Sequence, residues 1–307
     1  GGDGGMEYPM ATLITGERSL SSLIGVSVHE LMHAWFYGML GTNESLYSWM
    51  DEGFTEYATS EVENFLMKEK LMPGTPSTDP HVGNNSSYIG FAKSGQEEPL
   101  SIHHDHFTTN QAGGVAAYVK GHVALTELQY ILGKPTFDKA MLRYFDTWKF
   151  KHPNANDFIR IMEKESGLEL DWFKEYFVYT THTMDYAVKS VEKLNRKQTK
   201  ISLERIGQTP MPIDLTVTYE DGKKEIFNLP LDLMRGAKPS EFGEVKYTVL
   251  PDWRWTHPTY EITLDEKFKS ISQVEIDASQ RMADVDRENN SWKSDGENEG
   301  EATDEKD

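Results

Sequence analysis

The sequence predicts an α+β protein, with a mainly helical segment over residues 1–195 followed by a β-rich segment over about 200–285. Three observations carry this reading. Apolar residues recur at helical spacing through most of the first two thirds of the chain. The pattern then switches to period two, as in Ile213-Asp214-Leu215-Thr216-Val217-Thr218-Tyr219. Asp221-Gly222, a hairpin turn signal, separates two such alternating runs.

Taken in order, residues 6–15 read as a strand, and Pro9 places it at a sheet edge where a missing N–H does least harm. Residues 21–40 read as a long helix with Ser19 or Ser21 as cap and Gly41 at its end. It is apolar on more than one face and is therefore expected to be buried. A second helix starts near Trp49 and runs past Phe65, until Pro73-Gly74-Thr75-Pro76 breaks it. Residues 73–111, rich in Gly, Asn, Ser and His, read as one long irregular loop. Helical periodicity returns over 115–132, 136–148, 156–166 and 170–179. Strands are expected at 201–204, 213–219, 260–264 and 273–276, forming a small β-sandwich, with Trp253 and Trp255 in its core. Residues 294–307 hold seven acidic groups, one Lys and no large apolar side chain, the composition of a disordered tail.

Composition narrows the function. Fifty acidic against 31 basic residues give a net charge of −19, which argues against a nucleic-acid partner. No apolar run approaches the ~18 to 20 residues of a membrane span. The chain has no cysteine, so disulfides, thiolate metal sites and thiol nucleophiles are excluded, and any metal must rest on His and carboxylate ligands. Such a chain folds in reducing and oxidising compartments alike; a cell-envelope or secreted setting is favoured over the cytoplasm. The opening Gly1-Gly2-Asp3-Gly4-Gly5 without an initiator Met reads as part of a longer or processed chain.

The chemistry concentrates in His29-Glu30-Leu31-Met32-His33. On a helix, positions i and i+4 share a face, so two imidazoles can bind one ion while the Glu between them takes a proton from a water. The plain alternative is two His and a Glu on an ordinary helix face. That alternative suits a buried helix poorly, because buried His and Glu need partners. The signal strengthens with Trp49-Met50-Asp51-Glu52-Gly53-Phe54, which puts 18 residues between His33 and Glu52. A catalytic zinc takes three protein ligands and keeps a fourth position open, and two His with one Glu is a standard set.

These residues resemble the aminopeptidase N family of zinc metallopeptidases, the gluzincins, which join His-Glu-x-x-His to Trp-x-x-Glu-Gly-Phe after 18 residues. Gly4-Gly5-Met6-Glu7-Tyr8 is similar to the family's Gly-x-Met-Glu-Asn strand, with Tyr8 in place of Asn. Ala117-Tyr118-Val119-Lys120-Gly121 is similar to its Tyr-x-Lys-Gly helix start. The resemblance covers about 1–195 well and the β-rich part more loosely. It implies a thermolysin-like catalytic domain that lacks its first strands, and a zinc-dependent aminopeptidase acting on peptides with a free N-terminus. It further implies one zinc per chain on His29, His33 and Glu52, with Glu30 as general base and Tyr118 as oxyanion donor. Glu7 would bind the substrate amine, and the backbone of Gly4, Gly5 and Met6 would pair with the peptide. Rival readings are a thermolysin-like endopeptidase, an epoxide-hydrolysing member of the family, and a non-catalytic fragment or scaffold of a larger peptidase. Glu52-Gly53-Phe54 and the Tyr118 segment speak against the first. Asp51 reads equally as a partner of a ligand His and as a helix cap. His103-His104-Asp105-His106 reads as a solvated cluster, with a second metal as its alternative.

Overall fold

In the computed structural model, which describes residues 4–294, a helical segment is followed by two sheets. The acidic tail expected over 294–307 lies, from residue 295 on, outside the described residues. The chain opens with a hairpin of β1 (Gly5–Met6) and β2 (Leu13–Ile14). The helices are α1 (Leu20–Met32), α2 (Glu44–Ser48), α3 (Phe54–Lys68), α4 (Val82–Ala92), α5 (Asn110–Gly114), α6 (Gly121–Leu132), α7 (Lys134–Trp148), α8 (Ala155–Ser166) and α9 (Asp171–Phe173). Three π-helical turns, Trp49–Gly53, Val115–Lys120 and Lys174–Val178, interrupt or extend them. Such turns recur at functional sites because the extra residue re-aims a side chain.

Several expectations are corrected here. The single strand over 6–15 is instead a short hairpin, and it turns at Met10, whose φ is 64°. The first helix ends at Met32, not near residue 40. The following turn tightens, with Ala34 N–H donating to Leu31 O at 3.0 Å and Trp35 N–H to Met32 O at 2.9 Å, before the chain reverses at Tyr37, whose φ is 102°. This helix is also not buried on several faces. Val28, Glu30 and His33 point inward, while Leu20 and Leu31 are 61% and 56% exposed, because α1 packs on α3 and the hairpin along one side. The long loop contains α4, whose Gly-Asn-Asn-Ser-Ser start has poor helix propensity. Tertiary contacts hold it: Tyr88 is buried, and Asn85 donates to Arg281 O at 2.9 Å.

The strands run from Tyr186 to Lys293, wider at both ends than the 200–285 expected. They are β3 (Tyr186–Lys193), β4 (Thr199–Arg205), β5 (Ile213–Tyr219), β6 (Lys224–Leu229), β7 (Lys246–Val249), β8 (Thr259–Leu264), β9 (Ile271–Ile276) and β10 (Ser291–Lys293). A bulge between Val188 and Ser190 breaks the alternation of β3, so this strand carries no clean period-two pattern. One sheet has the order β3-β4-β8. The other has the order β10-β9-β5-β6-β7, antiparallel except for the parallel pair β6–β7. The β5–β6 hairpin turns at Gly222 with φ 82°, where Asp221-Gly222 signalled it. Ile201, Leu203, Leu215, Val217 and Val274 of these sheets join the same apolar cluster as the helices. Trp253 lies in that cluster, whereas Trp255 is half-buried beneath the Arg205 guanidinium.

Helix α6 is buried along its whole length and fastens the two segments together. The Tyr130 hydroxyl accepts from Asp214 N at 2.9 Å, and Glu127 accepts from Ala283 N at 2.6 Å. Lys238 sits between Asp214, at 2.6 Å, and Tyr130 O, at 2.8 Å. The start of α6 and the turn before it face the π-helical turn Trp49–Gly53, and that contact positions the site.

Candidate metal centre

His29 and His33 stand one helical turn apart on α1, so their imidazoles leave the same face. Their Nε2 atoms lie 3.1 Å apart. Glu52 reaches toward them from the π-helical turn, with Oε2 3.2 Å from His29 Nε2 and 3.3 Å from His33 Nε2. Among the described residues these three form one group that could hold a metal ion. A second group, Glu7, His33 and Asp51, shares His33. It is not an independent site, because Asp51 is already committed to His33. The His33 Nδ1–H donates to Asp51 Oδ1 at 2.8 Å, with Thr55 Oγ1 and Phe36 O each at 3.2 Å. A carboxylate only accepts, so the proton sits on Nδ1 and the Nε2 lone pair faces His29 and Glu52. Of its two sequence readings, Asp51 therefore takes the role of His33 partner; Ser48, not Asp51, precedes the turn.

The electrostatics ask for a cation. Burial works against a charged imidazole, yet the neighbouring carboxylates outweigh it. Glu52 and Glu56 push His29 up to about 9, and Asp51 and Glu52 push His33 up to about 11. Burial likewise works against a charged Glu52, but the two imidazoles and the Tyr118 hydroxyl hold it down to about 2. Glu52 Oε2 is buried and receives a well-formed hydrogen bond from neither imidazole. Two imidazole nitrogens and an unsatisfied carboxylate oxygen that converge on one point fit a divalent cation of the zinc type, which would take the place of the imidazole protons on Nε2.

Glu30 lies between the two His on the buried side of α1, 6% exposed, and its Oε2 has no hydrogen-bond partner. Burial pushes its carboxyl up, with His29 and His33 opposing. Strand β1 passes directly over it: a β-carbon on Gly5 would sit 2.2 Å from Glu30 Oε1. Met6 follows on the same strand. Gly5 pairs with Ile14 and Met6 with Leu13, and the opposite edge of β1 has no strand partner among the described residues. Gly4 closes the hairpin through a 3.2 Å bond from its N–H to Thr15 Oγ1. Glu7 brings a carboxylate oxygen to within 4.8 Å of ligand atoms of His33 and Asp51.

Tyr118 comes from the π-helical turn Val115–Lys120. Its hydroxyl donates to Glu52 Oε1 at 2.6 Å, and its ring stacks on His29 with centroids 6.1 Å apart. Burial and the Glu52 charge push its hydroxyl pKa up, so it keeps its proton. Behind it, Lys120 is fully buried against Glu97 and donates to Thr180 O at 3.0 Å, which anchors the turn.

Sequence spacing assigns no role to two groups that the structure brings together. Glu56 Oε1 lies 3.1 Å from His29 Nδ1; its signal was a carboxylate four residues after Glu52. His81 and His122 form a buried pair, Nδ1 to Nε2 2.9 Å, with Glu61 3.3 Å from His81 Nε2. Forty residues of sequence separate the two His, so no spacing rule could have joined them. His103, His104 and His106 occupy a short turn and do not converge as three metal ligands among the described residues.

Residues 9–177 match the sequence model of the Peptidase family M1 domain, a span that includes His29, Glu30, His33, Glu52 and Tyr118 but not Gly4–Glu7. The chain is 30% identical to Aminopeptidase B of Mus musculus over 190 residues, 57% of this chain and 26% of that protein. It is 27% identical to Leucine aminopeptidase 2 of Chaetomium globosum over 188 residues, 56% of this chain and 28% of that protein. With Aminopeptidase M1-A of Oryza sativa subsp. japonica it shares 23% identity over 274 residues, 84% of this chain and 30% of that protein. The chain thus spans less than a third of the length of these relatives. Among solved structures, Legionella pneumophila aminopeptidase A shares the fold, with a TM-score of 0.59 at 15% identity over 92% of this chain and 30% of that one.

Proposed function

This chain belongs to peptidase family M1, and on that premise we propose that it carries the reaction centre of a zinc-dependent aminopeptidase, which removes residues from the N-termini of peptides. The observation that carries the proposal is the convergence of His29 Nε2, His33 Nε2 and Glu52 Oε2 beside the unpaired Glu30 carboxylate.

His29, His33 and Glu52 would hold one zinc per chain. When bound, zinc supplies Lewis acidity, which lowers the pKa of a water to roughly 7 and polarises a carbonyl. Glu30, made more basic by burial, takes the proton of the attacking water and passes it to the leaving amine. Tyr118 keeps its proton and swings its hydroxyl from Glu52 to the developing oxyanion. The open edge of β1, over Gly4, Gly5 and Met6, receives the peptide backbone as an added strand. Glu7 supplies a fixed anion for the substrate ammonium, and this selects a free N-terminus.

The deciding experiment compares free-amine and N-acetylated aminoacyl amides and peptides as substrates of the intact protein, with and without chelator. Cleavage of the free-amine forms, lost on chelation and nearly absent for the acetylated forms, is the expected result. Internal cleavage of acetylated peptides at the same rate would mark an endopeptidase.

A further inference from the structure

We propose that Glu56 is a positioning residue that fixes the ring and tautomer of His29, an inference that rests on the zinc reading above. Glu52 lies in the π-helical turn Trp49–Gly53 and Glu56, four residues on, in the first turn of α3, and both carboxylates reach His29 of α1. Glu52 Oε2 lies 3.2 Å from His29 Nε2, while Glu56 Oε1 lies 3.1 Å from Nδ1 of the same ring. One imidazole thus has a carboxylate at each of its nitrogens.

With an ion held between Nε2 and Glu52, the chemistry of the two contacts differs. A carboxylate accepts and cannot donate, so the Nδ1 contact with Glu56 requires a proton on Nδ1. Nε2 then keeps its lone pair for the ion, the arrangement in which an imidazole binds a metal best. His33 has its own partner in Asp51, at 2.8 Å, reinforced by Thr55 and the Phe36 carbonyl. The two supports are unequal. The Asp51 side chain is 3% exposed and hydrogen-bonded to His33, whereas that of Glu56 is 29% exposed, and its carboxylate is the one polar contact of His29 Nδ1 among the described residues. Without Glu56, His29 is free to turn its ring and to populate the other tautomer. His33 is not.

The test measures zinc binding to the intact protein by competition with a chelator, alongside nitrogen NMR of the His29 ring in the zinc-loaded protein, where one ring nitrogen carries no proton. Glu56→Ala keeps helix propensity. It is expected to weaken zinc by about 10- to 100-fold, the usual cost of losing a carboxylate behind a metal-bound His. The His29 signals should then show mixed tautomers while those of His33 stay fixed. Glu56→Gln, whose amide oxygen still accepts from Nδ1–H, should restore most of the affinity and the single tautomer. Affinity in Glu56→Ala within about twofold of the native protein overturns the proposal, as does a Glu56→Gln variant as weak as Glu56→Ala. A native protein that binds no zinc overturns the functional reading itself, and this inference with it.

Discussion

A β-carbon on Gly53 would lie 2.5 Å from the carbonyl carbon of Gly121, so at this contact two backbones touch with no room for a side chain between them. Gly53 directly follows Glu52, and Gly121 closes the turn that carries Tyr118. The approach of these two π-helical turns allows the Tyr118 hydroxyl to reach Glu52 at 2.6 Å. Gly53→Ala should therefore cost about 1 to 3 kcal/mol, the scale of overpacking, because rigid backbone and not a flexible tip must move. Denaturant midpoints check the stability. Turnover should fall as well, since the Glu52–Tyr118 distance opens.

Metal binding and proton transfer separate cleanly by mutation. His33→Ala should lose stoichiometric zinc, because two ligands hold the ion poorly. Glu30→Gln should keep zinc and lose about 100-fold or more in turnover, the scale of a general base. Metal analysis and kinetics on the same two preparations decide the matter. Full zinc in His33→Ala, or near-normal turnover in Glu30→Gln, would remove these residues from their proposed roles.

Tyr118→Phe removes one hydroxyl and leaves the ring on His29. Zinc content should be unchanged and kcat lower by about 100-fold, as for the loss of a single oxyanion donor. An unaltered kcat would pass the role to another donor.

Glu7→Ala should lower kcat/KM on free-amine substrates by at least about 10-fold with zinc intact. This matches the ~1.5 to 3 kcal/mol of a charge-assisted hydrogen bond. Acetylated substrates, which carry no ammonium, should be unaffected by the same change. Equal effects on both substrate classes would show that Glu7 acts on the site's structure and not on the amine.

Acid stability should depend on Glu241, which is no member of the candidate metal groups. Burial pushes its carboxyl up, but Arg281 and Lys238 outweigh burial and hold it down to about 2. Its oxygens also accept from Lys134 N at 3.1 Å and lie 3.1 Å from Lys238 Nζ, tying α7 to the strand segment. A carboxyl whose folded pKa lies below the ordinary 4.5 stabilises the fold above that value, and the contribution is lost as pH falls toward 2. Glu241→Gln should cost about 1.5 to 3 kcal/mol at pH 7. The gap to the native chain should close between pH 4.5 and 2, as read from denaturant midpoints across that range.

By itself the sequence determined the chemistry that local spacing encodes. A four-residue step on a helix puts His29 and His33 on one face whatever the rest of the fold does, and Asp221-Gly222 turns a hairpin because a glycine adopts positive φ there freely. Period-two alternation marked β5 and its neighbours for the same local reason. The tertiary structure decided everything that depends on distant segments meeting. It ended α1 at Met32 through the tight turn at Tyr37 and left one apolar side of that helix exposed. It held α4 together by contacts to Arg281 and Thr126 despite a sequence unsuited to a helix. It brought Glu56 to His29, and His81 to His122, through side-chain reach between separate elements. Burial and hydrogen bonding between elements are sums over the whole packed chain, so no window of sequence contains them.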